Sequence, residues 1–216
     1  AEVSRMVPYI ETSSLITILA QLSLIEGDFE TAMMFTGRAL ELNPYSVGAK
    51  LVQVKVSEIH RDILGAVNMA SSAVVSAPYD TSAALAYIAL AMRSPMTVGP
   101  TDPDPADLLD DLLERLQGRY EMFPLDPDTA FNLGQAKRLS GINEWEIYVE
   151  QAFETWPYSI DYQMEYIASV ALSGDVTAAK VLLGNFEVPP NLPWLYEIYI
   201  RSEKEQSEDL RLFADW

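Results

Sequence analysis

Cysteine is absent from this 216-residue chain, so neither a disulfide framework nor a thiolate metal site can be built from it. The absence leaves the redox compartment open, because a helical array needs no covalent staple; a soluble, cytoplasmic setting is preferred here to the periplasm. Histidine occurs once, at position 60, beside Glu58, Arg61 and Asp62. With no second ligand to join it, His60 reads as an ordinary polar residue at a helix end and is given no catalytic or metal role. Basic residues are few: 14 Lys and Arg against 32 Asp and Glu give a formal charge of −18. That sign repels a phosphate backbone, which argues against nucleic acid as partner and suits solubility, a basic peptide or a salty habitat.

Long apolar runs are missing too. Leu15 to Ile25 is interrupted by Thr17, Gln21 and Ser23, and Ala83 to Met92 is mostly alanine, so neither supplies the ~20 residues that cross a bilayer. The first run reads as a folded helix and not as the centre of a signal peptide, since only Arg5 precedes it and Gly27-Asp28-Phe29 follows where a cleavage site would stand. The chain begins at Ala1, so the sequence is expected to be a processed protein or part of a longer one. There is no phosphate loop, nucleophile motif or dinucleotide fingerprint, and no enzyme or cofactor is expected. The acidic cluster Asp102, Asp104, Asp107, Asp110 and Asp111 invites a calcium reading, but an EF-hand needs glycine at the sixth place and glutamate at the twelfth, where Asp107 and Leu113 stand. Asp104 is better placed as a helix cap and Asp107 in the first turn of the helix that follows; no metal is expected.

What the chain does have is rhythm. Asn43-Pro44-Tyr45, Ala77-Pro78-Tyr79 and Trp156-Pro157-Tyr158 each close one helical stretch and open another. The first two prolines lie 34 residues apart and the next two 79 apart, which is two units of 34 plus 11. Residues 95–105, PMTVGPTDPDP, hold four prolines and a glycine and are the inserted eleven. Pro124 and Pro190 keep the beat 33 residues before and after Pro157. Between these marks the apolar spacing is helical: Leu15, Ile18, Leu19 and Leu22, then Ala32, Phe35, Ala39 and Leu42; Phe131, Leu133 and Ala136, then Trp145, Val149, Ala152 and Phe153; Tyr166, Ile167 and Val170, then Ala178, Val181 and Leu182. Tyr158, Tyr162 and Tyr166, one turn apart, are read as packing residues. The insertion reads as a surface excursion, with a recognition loop for a basic partner as the other reading.

Gly27-Asp28-Phe29, Ala32, Ala39-Leu40-Glu41-Leu42 and Asn43-Pro44 resemble the tetratricopeptide repeat signature of a glycine turn, two packing alanines and a terminal proline. Gly174-Asp175-Val176 with Ala179, and Asn132-Leu133-Gly134 with Gly141, resemble it less completely. The second unit keeps Ala66, Ala73 and Pro78 but has Arg61 at the glycine place, so a different turn is expected there. The resemblance implies an all-α, right-handed superhelical solenoid of about five repeats in one domain. The repeats are drawn at 12–45, 46–79, 80–125 with the insertion 95–105, 126–158 and 159–191, with a capping helix at 193–216.

The resemblance also implies where a ligand would lie, along an inner wall formed by the first helix of each pair. By offset from each turn the wall residues are Thr17, Gln21, Leu24, Leu51, Lys55, Glu58, Leu85, Ala89, Met92, Phe131, Gln135, Arg138, Met164 and Ala168. Thr17 and Gln21 occupy first-unit places where a carboxylate-gripping clamp would need lysine and asparagine, which argues against that mode, while Lys55 and Arg138 are able to pair with an acidic group. The implied function is a scaffold or adaptor for a peptide or protein segment, a basic one being suited to the charge. The alternative is a regulatory or sensory module of a larger signalling or transcription-regulating protein. Neither nucleic acid nor membrane insertion is expected, and copies of the chain are able to associate through uncovered solenoid ends.

Overall fold

The computed structural model describes residues 12–172 and 174–185. Among the described residues there are ten α-helices and no strand: α1 (Ser13–Ile25), α2 (Phe29–Leu42), α3 (Val47–Ile59), α4 (Ile63–Ser76), α5 (Thr81–Arg93), α6 (Pro105–Met122), α7 (Pro127–Leu139), α8 (Trp145–Thr155), α9 (Ile160–Leu172) and α10 (Val176–Asn185). Consecutive helices pack as pairs, α1 on α2, α3 on α4, α7 on α8 and α9 on α10. The all-α architecture of stacked helix pairs expected from the repeat is the one observed. The capping helix drawn at 193–216 lies outside the described residues. No helix among them is long and apolar enough to cross a membrane. Two compact units divide the chain, residues 1–109 and 110–216.

One device ends the first helix of four pairs. Gly27 (φ 75), Arg61 (φ 61), Gly141 (φ 71) and Gly174 (φ 98) all take the left-handed conformation. The next residue then returns its N–H to a carbonyl five positions back: Asp28 to Ser23, Asp62 to Ser57, Ile142 to Lys137 and Asp175 to Val170. This is a Schellman-type C-cap, which satisfies carbonyls the helix end would otherwise leave bare. Three of these turns pass straight into an N-cap, since Asp28, Asp62 and Asp175 accept from the backbone N–H of Thr31 (3.1 Å), Gly65 (3.0 Å) and Ala178 (2.9 Å). Hydrogen bonding to Thr31 holds the Asp28 carboxyl below the usual aspartate range. The different turn expected at Arg61 is therefore not found: the Asp62 cap and the Schellman bonds hold Arg61 in the glycine conformation despite its Cβ.

Alanines set how closely the pairs approach. In the first unit Ala20, Ala32, Ala39, Ala49, Ala66, Ala73 and Ala83 have no exposed surface. The bulk around them comes from the neighbouring pair: Val52 and Val56 of α3 close over Ala20 and Ala32, and Tyr87, Leu90 and Ala91 of α5 close over Val67, Ala70 and Val74 of α4. On α1 the buried positions are Ile16, Leu19 and Ala20, whereas Ile18 and Leu22, grouped with the apolar stripe by their spacing, are 51% and 45% exposed. Their side of α1 faces away from both α2 and α3.

The insertion is fastened down. After α5 the chain makes a 3₁₀ turn at Pro95–Thr97 and runs back over α4 and α5. Ser71 donates to Asp102 at 2.6 Å, the Gly99 N–H donates to the other Asp102 oxygen at 2.7 Å, and the buried Tyr87 donates its hydroxyl to the Pro103 carbonyl at 2.7 Å. Val98 packs on the core beneath. Asp104 caps the helix start at the Ala106 N–H (2.8 Å), and Asp107 stands in the first turn of α6. The cluster's carboxylates thus have structural partners, and the loop serves as a cover for α4.

Two substitutions test these statements. Arg61→Gly removes the left-handed penalty of a residue with a Cβ and should raise stability by about 1 kcal/mol; a urea midpoint equal to or below the parent's would show that the turn is not strained. At Gly134 of α7 a Cβ would meet Val149 Cγ2 at 3.0 Å and the Trp145 carbonyl oxygen at 3.1 Å. Gly134→Val should therefore push α7 from α8 and lose roughly 1–3 kcal/mol in the same measurement.

Candidate functional site

In the first unit α1 touches α3 and α3 touches α5, so the first helices of the pairs form a row. Repeat arithmetic aligns Leu51, Lys55 and Glu58 on α3 with Leu85, Ala89 and Met92 on α5, each 34 residues later. Leu51, Glu58, Leu85 and Ala89 are half-buried, and Lys55 and Met92 are exposed. The row is knit at one end by an ion pair, Arg93 Nη2 to Glu58 Oε1 at 2.5 Å. On α1 only Gln21 of the three offset residues is exposed. Leu24 packs against the cluster of Ala20, Ala32, Val52 and Val56. Thr17 is buried, donating to the Ser13 carbonyl (2.8 Å) with its methyl lodged above Gly48. It wedges α1 against α3 and faces no ligand. Offset counting cannot see this, because α1 is rotated so that Ile18 and Leu22 take the outward positions.

In the second unit the offset residues are largely absorbed by the protein itself. Phe131 lies against Tyr162, ring centroids 4.8 Å apart. The Tyr162 hydroxyl donates to Asp128. Arg138, read as able to take an acidic ligand, instead places Nη1 2.7 Å from Glu165 on α9, in a pair whose side chains keep 17% and 12% of their exposure. Its Nη2 donates to Gln135 at 2.9 Å, and its guanidinium lies 5.4 Å over the Trp145 ring. Met164 is half-buried and Ala168 is buried. Glu58–Arg93 and Arg138–Glu165 repeat one theme, a charge on one first helix cancelled by the opposite charge on the next first helix. The 35-residue separation of Glu58 and Arg93, one repeat plus one, is the signal in the sequence that could have revealed it. Nothing comparable marks Arg138–Glu165.

Lys50, next to Leu51, was not singled out by the sequence. Its side chain turns away from the row into α4, where Nζ donates to the Ser72 carbonyl (3.0 Å), Ser72 Oγ (2.8 Å) and Ser76 Oγ (2.5 Å). Cations near a helix C-terminus are favoured by its dipole, but all three acceptors are neutral, and burial pushes the ammonium below the ordinary lysine range. Among the described residues no group of three or more histidine or acidic side chains gathers as metal ligands would. The largest surface depression among them, about 880 Å³, runs along α6 beside Arg115, Gly118, Arg119, Met122 and Phe123. It contains none of the offset residues, and its arginines are tied to Asp111 (2.8 Å) and Asp126 (3.0 Å).

No protein-family model matches the chain, and no curated protein matches it. Solved structures do. TTC0263, a thermophilic TPR protein of Thermus thermophilus, is 15% identical, with 90% of this chain and 100% of that chain covered at a TM-score of 0.57. PilF of Pseudomonas aeruginosa is 15% identical over 93% of this chain and 88% of its own, with a TM-score of 0.48. YrrB, described as a TPR protein with an unusual peptide-binding site, is 14% identical over 95% of this chain and 99% of its own, with a TM-score of 0.43.

The buried lysine yields a pH prediction. In the unfolded chain Lys50 titrates near 10.5, and in the folded protein lower. Between those two values the unfolded state binds more protons, so folding stability rises with pH there. Below that window the buried charge is a constant cost. The stability of the parent protein relative to Lys50→Met should therefore increase as pH climbs toward 10.5. Urea midpoints of the two proteins that run parallel over the alkaline range would refute it.

Proposed function

Because this chain has the tetratricopeptide-repeat fold, we propose that it is a protein-interaction scaffold that holds an extended peptide or protein segment against the first helices of its pairs, with residues 1–216 acting as one domain. The observation that carries the reading is the strip Leu51, Leu85, Ala89 and Met92, half-buried or exposed on adjacent α3 and α5, beside an acid and a base already paired as Glu58–Arg93. Such a strip offers a ligand dispersion contacts and little net charge. Gln21 and Lys55 add polar contacts at its side. In the second unit Phe131 and Met164 keep partial exposure, while Gln135, Arg138 and Ala168 support the wall from within.

The geometry favours a segment with apolar anchors at intervals over one gripped by its terminal carboxylate, since the arginine on this wall in the second unit is engaged by Glu165. Several shallow contacts of this kind give modest affinity with most of the energy at a few anchors. The formal charge of −18 speeds encounter with a basic segment and slows an acidic one. Association of copies through the ends of the array belongs to the same proposal, as does the absence of catalysis.

Selection of a displayed peptide library on the full chain, followed by titration of the selected peptides, tests the site. Ala89→Arg fills the middle of the strip with a charge and should weaken those peptides by roughly tenfold or more, with helical content and urea midpoint unchanged. Peptides that bind Ala89→Arg and Leu51→Arg as tightly as the parent would place binding elsewhere and sink the reading.

A further inference from the structure

The loop edge of the second unit carries a small cleft that the scaffold reading does not use. Pro127, Asp128, Trp156, Ser159 and Tyr162 line about 270 Å³ of open space, just under the ~300 Å³ at which small-molecule pockets begin and suited to a single side chain. Trp156 is 57% exposed and Tyr158 82% exposed, their rings edge to face with centroids 6.2 Å apart, an arrangement that leaves ring faces uncovered. Asp128 spends one carboxylate oxygen on the Tyr162 hydroxyl; its other oxygen has no partner among the described residues. An exposed tryptophan face beside a carboxylate is the environment in which a guanidinium is held best, stacked on one and hydrogen-bonded to the other. The same unit shows the combination filled: Arg138 lies over Trp145 and pairs with Glu165.

We propose that this cleft binds an arginine side chain presented by a partner protein segment, the guanidinium lying on Trp156 and pairing with Asp128, with Tyr158 as flanking wall. The cleft stands at the first turns of α7 and α9, whose dipoles bring about +0.5 charge each and oppose a cation. Asp126, Asp128 and Asp161 stand in or beside those same turns, and with Arg119 cancelling only Asp126 the balance stays negative. The Tyr162 hydroxyl reports that field: burial first, then Asp128, Asp126 and Asp161, hold it above the ordinary tyrosine range. Arginine is preferred to lysine because a flat guanidinium stacks and donates in its own plane at once, which an ammonium cannot do.

The site shares no residue with the strip on α3 and α5, so either can fail without the other. The test uses the full chain labelled with 5-fluorotryptophan, the Trp156 fluorine line being assigned by its loss in Trp156→Phe. Acetyl-Gly-Arg-Gly-Arg-Gly-amide should move that line saturably and leave the Trp145 line in place. The lysine counterpart should bind several-fold more weakly, and the glutamate counterpart should leave the line unmoved. Asp128→Asn should weaken the arginine peptide roughly tenfold. If that variant loses helical content, the exposed Tyr158→Ala serves instead, with a several-fold loss expected. An unmoved Trp156 line, equal responses to the arginine and glutamate peptides, equal affinity for arginine and lysine, or an unchanged affinity in the folded variant overturns the proposal.

Discussion

Close approach of two helices requires that the side chains at their crossing be small, and most of this structure follows from where the chain meets that requirement. Ala20, Ala32, Ala39, Ala49, Ala66 and Ala73 lie at or beside the crossings of the first unit with no surface left to water. In the second unit Gly134 lets the backbone of α7 come against Val149 and Tyr148 of α8. Helices joined through alanine have little apolar bulk of their own, so a lone pair would bury too little surface to offset the entropy of ordering it. The missing bulk is lent by the next pair, as Val52 and Val56 are to Ala20 and Ala32. Stacking is therefore a condition of folding here, and a continuous row of first helices comes with it.

The turns keep the stack in register. Each ends a first helix with a left-handed residue and a bond five positions back, and three of the four begin the second helix with an aspartate cap. Because the backbone bonds define the turn, the residue at the left-handed place is secondary: Arg61 occupies it as Gly27, Gly141 and Gly174 do. The insertion after α5 uses the same economy, with Asp102 tying Ser71 to the Gly99 N–H and the Pro103 carbonyl capping Tyr87. A stretch rich in proline and aspartate becomes a fitted cover because its polar groups find partners on it or beneath it.

Pairing of charges along the row shapes what the surface can hold. Glu58–Arg93 and Arg138–Glu165 each join one first helix to the next and remove from the wall the groups best able to seize an ion. An apolar strip with amide and aliphatic neighbours remains on α3 and α5, and the strongly acidic remainder of the protein governs approach more than grip. The lysine at position 50 adds to this, since its charge is spent inside on the last turn of α4.

Proline spacing and the recurrence of small residues disclosed the helix pairs, the extra eleven residues and the places of the turns, because those features depend on local chemistry repeated at a fixed interval. The rotation of each helix about its axis was beyond that kind of reading. Thr17 and Leu24 were counted onto the wall but pack inward, while Ile18 and Leu22 face out, since the azimuth of a helix is decided by which neighbour it meets. Arg138 looked available until α9 brought Glu165 to it from the next helix pair. Sequence alone thus determined that there would be a stack of helix pairs; only packing in three dimensions decided which side chains it would show, because exposure belongs to the contact between elements and not to any one of them.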